Sequence, residues 1–150
     1  MFKRILLPID VDYPEAAGAV YRKAAELAEQ GGAEMHLLGV LPGFGMPIVA
    51  SYITDEIRQE TYQRMQEALE GFIDNYCHKP LPYSIAVGKH WEEIVKLAGT
   101  WRADLIVVYH NKEKELNEVF SDSCSKKVAE HAPCSVLWLR NVPREGSSTR

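Results

Sequence analysis

The chain reads as an α/β domain built on a parallel sheet, and three observations carry that reading. Ile5-Leu6-Leu7 and Leu105-Ile106-Val107-Val108 are short, continuous apolar runs, the pattern of strands covered on both faces. Between the strand-like runs lie longer segments whose apolar residues recur every three or four positions. The two kinds of segment alternate, five strands with four helices, as in repeated β-α-β units with right-handed crossovers.

Taken in order, Ile5, Leu6 and Leu7, closed by Pro8-Ile9-Asp10, form the first strand. Asp12 stands where it can cap a helix with Pro14 and Glu15 in its first turn. Ala17, Val20, Tyr21, Ala24, Leu27 and Ala28 keep helical spacing until Gly31-Gly32 ends that helix. Residues 34–41 give the second strand through Met35, Leu37, Leu38 and Val40, followed by a loop rich in Pro and Gly over 42–47. Thr54 starts the longest helix, in which Ile57, Thr61, Met65, Leu69, Phe72, Ile73 and Tyr76 lay one stripe along about 22 residues, expected to pack on the sheet.

Pro80 and Pro82 bracket the next connection, and residues 83–87 alternate as a third strand ending at Gly88. The helix that follows carries Trp91, Ile94, Val95, Leu97 and Ala98 on one side and is expected to end at Gly99. Leu105 to Val108 are rich in the β-branched residues of a buried parallel strand. Residues 121–131 read as the last helix and 136–139 as the last strand. The boundaries expected are one domain over 1–140 and a tail over 141–150 that has nothing to bury and should be disordered.

A chain of 150 residues, 46% hydrophobic and 25% charged, has room for one domain with a substantial core. Net charge is −4, so no general electrostatic pull toward nucleic acid or an anionic membrane is expected. No stretch approaches the roughly 18 apolar residues of a membrane helix, and Met1-Phe2-Lys3-Arg4 leads into an apolar run too short for a signal peptide. Cys77, Cys124 and Cys134 make an odd count without paired spacing, which fits a reducing, cytoplasmic setting.

From Val108 onward an apolar strand runs into a polar loop, a short helix and the run Ala132, Pro133, Cys134, Ser135, Val136, Leu137, Trp138, Leu139, Arg140. This ending resembles that of the universal stress protein family, and the resemblance covers nearly the whole chain, from Ile5 to Arg140. It implies an open, twisted, Rossmann-like parallel sheet of strand order 3-2-1-4-5 with helices on both faces. Strands one and four then neighbour each other at the switch point where an open α/β sheet leaves its ligand crevice, and Asp10 and Tyr109 should face each other there.

In nucleotide-binding members of the family, residues matching Pro8, Asp10 and Val40 border the adenine and ribose, and all three are present. Those members also carry a phosphate loop of the form G-x2-G-x9-G-[ST]. Its glycine positions here read Tyr109, Lys112 and Asp122, and only the final Ser123 is retained. Glycine is needed where a backbone must take positive φ or let a phosphate approach closely, so Tyr109 and Lys112 are expected to fill that space. Lys112 lies in a charged stretch that reads as a solvated loop. Asp122 opens the last helix, where its carboxylate can cap the free N–H groups, with Ser121 or Ser123 as alternative caps. It would repel a phosphate charge 4 Å away by roughly 1 kcal/mol in water-like surroundings and about 4 at a protein surface.

Cys77-His78 and the pair His131 and Cys134 form no convincing metal set, and none is expected. Cys124 reads as a small core residue. The chain contains no G-x-S-x-G, P-loop, H-E-x-x-H or G-x-G-x-x-G motif, so catalysis is not expected. Residues 43–53 could form a lid or a partner surface near the cleft mouth. The resemblance implies a homodimer in which Val136, Leu137, Trp138 and Leu139 pair with their copies, which would also cover an apolar sheet edge. The expected protein is a non-catalytic stress-response binding module with no cofactor and an unknown protein partner. The alternative is a regulator that binds ATP or AMP and hydrolyses slowly.

Overall fold

The computed structural model describes residues 1–43, 51–110 and 121–140. The expectations for the 43–53 segment fall largely outside the described residues, and those for Lys112 and the 141–150 tail fall wholly outside them. The described elements run β1 (Arg4–Pro8), α1 (Pro14–Gly31), β2 (Glu34–Pro42), α2 (Asp55–Tyr76), β3 (Tyr83–Gly88), α3 (His90–Trp101), β4 (Leu105–Tyr109), α4 (Asp122–His131) and β5 (Ser135–Leu139). The strands form one parallel sheet in the order β3-β2-β1-β4-β5, as the family resemblance implies.

Alternation along the strands divides the core in two. Ile5 and Leu7 of β1, Leu37 of β2 and Leu105, Val107 and Tyr109 of β4 face α1 and α2. Leu6, Leu38, Ile106 and Val108 face α3 and α4. Burial of both faces explains why β1 and β4 show no polar alternation, and each fully buried Leu or Ile contributes about 1.5–3 kcal/mol.

Caps set the helix limits, and two differ from expectation. Asp12 does not cap α1: the N-cap is Tyr13, without a side-chain bond, and the Asp12 N–H instead donates to Asp10 Oδ1 at 3.1 Å. The short Asp10 side chain has turned on its own backbone and bound the N–H two residues on. Helix α3 does not stop at Gly99 but runs to Trp101, where Arg102 takes the left-handed conformation at φ 60°. The Ala103 N–H then reaches the Ala98 carbonyl at 2.9 Å, closing a Schellman turn. Gly32, at φ 63°, closes α1 in the same way through Ala33 N–H to Ala28 O. Thr54 caps α2 as expected, its Oγ1 accepting from Ile57 N–H at 3.2 Å.

The α2 stripe packs on the sheet over only part of its length. Leu69 and Phe72 are buried, whereas Ile57 is 42% exposed. A helix of 22 residues is about 33 Å long. The neighbouring β3, with six residues, spans only about 20 Å. The N-terminal turns of α2 therefore overhang the carboxyl end of the sheet and become a wall. Gly39 of β2 brings that helix in closely: a Cβ there would stand 2.8 Å from Met65 Sδ and 3.0 Å from Leu69 Cδ1.

Candidate functional site at the carboxyl edge of the sheet

A cavity of about 860 Å³ opens beside the β1–α1 turn, the end of β2 and the overhanging turns of α2. Its walls include Asp10 and Val40, which the sequence assigns to the site, together with Asp12, Arg64, Met65 and His90. Asp10 follows the end of β1 and is only 4% exposed. Its backbone N–H points to the Tyr109 hydroxyl at 3.4 Å, its carbonyl accepts from Tyr13 N–H at 3.1 Å, and Oδ1 accepts from Asp12 N–H. The carboxylate is thus held in a turn that both β1 and β4 fix. Pro8 lies buried within β1, beside Leu38, and does not line the cavity.

Asp10 and Tyr109 meet across the β1–β4 switch point, but Tyr109 does not fill the cleft. As the last residue of β4 it falls on the α1 and α2 face, and its ring lies fully buried in that core. The expectation of a side chain projecting into phosphate space is corrected by strand alternation, which turns residue 109 to the same face as Leu105 and Val107. Burial, and then the Asp10 carboxylate, push the phenol above the ordinary tyrosine range, so it stays protonated at neutral pH.

At the other side of the switch point, Ser121 is the N-cap of α4, its Oγ accepting from Cys124 N–H at 3.1 Å. Asp122 is therefore not the cap. It occupies the first helical turn, and its Oδ1 lies 3.0 Å from Nδ1 of His110, the residue after β4. This contact spans the two ends of the segment that joins β4 to α4. A carboxylate in that turn interacts favourably with the helix dipole, and it stands where an incoming phosphate would otherwise be favoured. Ser123 is exposed in the same turn and does not line the cavity.

The remaining candidates lie elsewhere. Cys77 is hydrogen-bonded to the buried Tyr21 on the far side of α1, and burial pushes its thiol up to about 11, which removes it as a ready thiolate. Cys124 is buried in the core under α4, and His131 stacks on Trp91 with ring centroids 4.8 Å apart. Among the described residues no three His, Cys, Asp or Glu side chains gather as a metal set. Val136 and Trp138 pack toward α3 and α4, Leu137 and Leu139 toward α1 and α2, and all four are half-buried on the edge strand β5.

Sequence reasoning missed Arg64, Met65 and His90 as cavity residues. The signal was present for the α2 pair: Thr61, Arg64, Met65 and Ala68 recur at intervals of three, four and seven residues, one helical face, and all four line the cavity. Arg64 neighbours Thr61 and Met65 of the stripe expected to pack on the sheet.

Comparison with known proteins agrees with this architecture. The model of the Universal stress protein family matches residues 1–140. Universal stress protein G of Escherichia coli O157:H7 is 27% identical over 144 residues, spanning 93% of this chain and 100% of that protein. The solved structure of hypothetical protein MJ0577 superposes with a TM-score of 0.72 at 22% identity, covering 94% of this chain and 97% of that one. The universal stress protein from Archaeoglobus fulgidus, solved in complex with dAMP, superposes with a TM-score of 0.56 at 21% identity over 91% of this chain and 96% of its own. With its sheet order, its switch-point cleft and a family match over residues 1–140, the chain belongs to the universal stress protein family.

Proposed function

We propose that this protein is a non-catalytic binding and regulatory module, cytoplasmic and homodimeric, in which residues 1–140 form the working domain and triphosphate binding is weak or lost. The observation that carries the reading is the Asp122 carboxylate in the first turn of α4, paired with His110 at 3.0 Å. A phosphate approaching that helix end must displace the pair or meet the Asp122 carboxylate, and two unit charges 4 Å apart repel by roughly 1 kcal/mol in water-like surroundings and about 4 at a protein surface, less where a protonated His110 offsets the carboxylate. Ser121 already takes the Cys124 N–H, so one of the donors a phosphate would use is engaged. No helix of the described residues is long and apolar enough to cross a membrane. The dimer reading rests on β5, which pairs with β4 on one side and has no strand beyond it among the described residues.

ATP titration and sedimentation test the two halves of the reading. Affinity for ATP weaker than about 10 μM and a dimer in dilute solution are expected; tight ATP binding or a stable monomer would overturn the corresponding half.

A second reading, an AMP- or ATP-binding regulator, is favoured by one observation: the cavity beside Asp10 and Val40 remains open on the nucleoside side. The relative solved with dAMP supports it. A nucleotide retained through purification of the native chain would decide for this reading.

A further inference from the structure

Resting on the nucleoside reading of the cleft, we propose that Arg64 selects the ligand: the cavity takes a nucleoside monophosphate whose phosphate is held by the Arg64 guanidinium from α2. Three features lead there. Arg64 lines the cavity with Thr61, Met65 and Ala68 of α2, and it stands at the rim, since it also borders a surface groove with Glu60, Gln63 and Glu67. It also takes part in no ion pair among the described residues, although Glu60 and Glu67 lie four residues before and three after it, where helical partners sit. Its charge remains available to a ligand.

The third feature is the polarity of the cavity. Asp10 and Asp12 line it at the β1–α1 turn, so that side accepts hydroxyl donors and repels anions, while Arg64 lines it from α2 with a cationic side chain. A ligand with a hydroxyl-bearing sugar at one end and an anion at the other would lie with the sugar toward Asp10 and the anion toward α2. One guanidinium presents a planar fork that matches a single phosphate in bidentate fashion. At the α4 turn the Asp122 carboxylate, 3.0 Å from His110 Nδ1, faces any anion that approaches that helix end. The volume, about 860 Å³, lies within the usual range for small-molecule sites.

Calorimetric titration of the full chain with adenosine and with AMP, at one low salt concentration, tests this on the wild type and on Arg64→Gln. Arg64 is exposed, so the variant should fold normally. The expected result is AMP binding roughly tenfold tighter than adenosine in the wild type, with that preference erased in Arg64→Gln and adenosine affinity unchanged. Equal wild-type affinity for the two ligands, or an AMP preference that survives the substitution, would overturn the role of Arg64 while leaving the nucleoside cleft standing. Failure of both ligands to bind would overturn both.

Discussion

Replacing Tyr109 separates two accounts of why the family's glycine is missing at that position. If the ring projected into the cleft, its removal would cost little stability and would open the site. The ring instead lies in the core at 0% exposure, among residues of α1, α2, β1 and β4. Truncating a buried aromatic to alanine costs about 3–5 kcal/mol. Glycine would add roughly 0.5–1 more in a strand. That is a large share of the roughly 5–15 kcal/mol by which domains are stable. Tyr109→Phe keeps the ring and removes only the buried hydroxyl, which accepts from Asp10 N–H at 3.4 Å, so a smaller loss of about 0.5–1.5 kcal/mol is expected. Urea unfolding of wild type, Tyr109→Phe and Tyr109→Ala would measure both. A Tyr109→Ala cost below about 1 kcal/mol would refute the core placement. The same reasoning makes Asp122→Gly, and not the restoration of all three glycines, the fair way to reopen the phosphate turn.

Three further outcomes follow from the packing. Tyr21 and Cys77 are hydrogen-bonded partners, and burial raises them to about 12 and about 11. Because the unfolded chain releases these protons at lower pH than the folded one, their contribution is complete below about pH 9 and is lost as pH rises through about 11 to 12; alkaline denaturation should be less steep in Tyr21→Phe. Arg102 bears a left-handed φ of 60° at the end of α3, so Arg102→Gly should stabilise the protein by about 1 kcal/mol in denaturant melts, with no gain disproving strain at that cap. Gly39→Ala would place a Cβ 2.8 Å from Met65 Sδ and 3.0 Å from Leu69 Cδ1, pushing α2 outward at a cost of about 1–3 kcal/mol and weakening any ligand held against the α2 wall; unchanged stability by thermal melting would contradict the close approach.

The sheet was legible because burial on both faces wrote itself into β1 and β4 as unbroken apolar runs, and Thr54 and Gly32 marked helix ends through their own chemistry. The strand order came from family resemblance, since pairing is a long-range choice that local pattern does not encode. Asp12 and Gly99 misled for a shared reason. Each is a residue type that favours a helix boundary, but the Asp10 side chain captured the Asp12 N–H, and the Schellman turn formed three residues beyond Gly99. Asp10 and Val40, which the family resemblance suggests for the site, both line the cavity. Tyr109 meets Asp10 as expected, but its ring enters the α1 and α2 core and not the phosphate space, and the His110–Asp122 contact brings together residues at the two ends of a connecting segment, which no periodicity links.

The central claim, that the α4 turn is closed to phosphates while the nucleoside half stays open, is tested most directly by titrating AMP and ATP against the wild type and Asp122→Gly under identical conditions. AMP should bind the wild type at least as tightly as ATP, and Asp122→Gly should improve ATP about tenfold or more while leaving AMP nearly unchanged. Wild-type binding of ATP tenfold tighter than AMP, with no gain in Asp122→Gly, would contradict it.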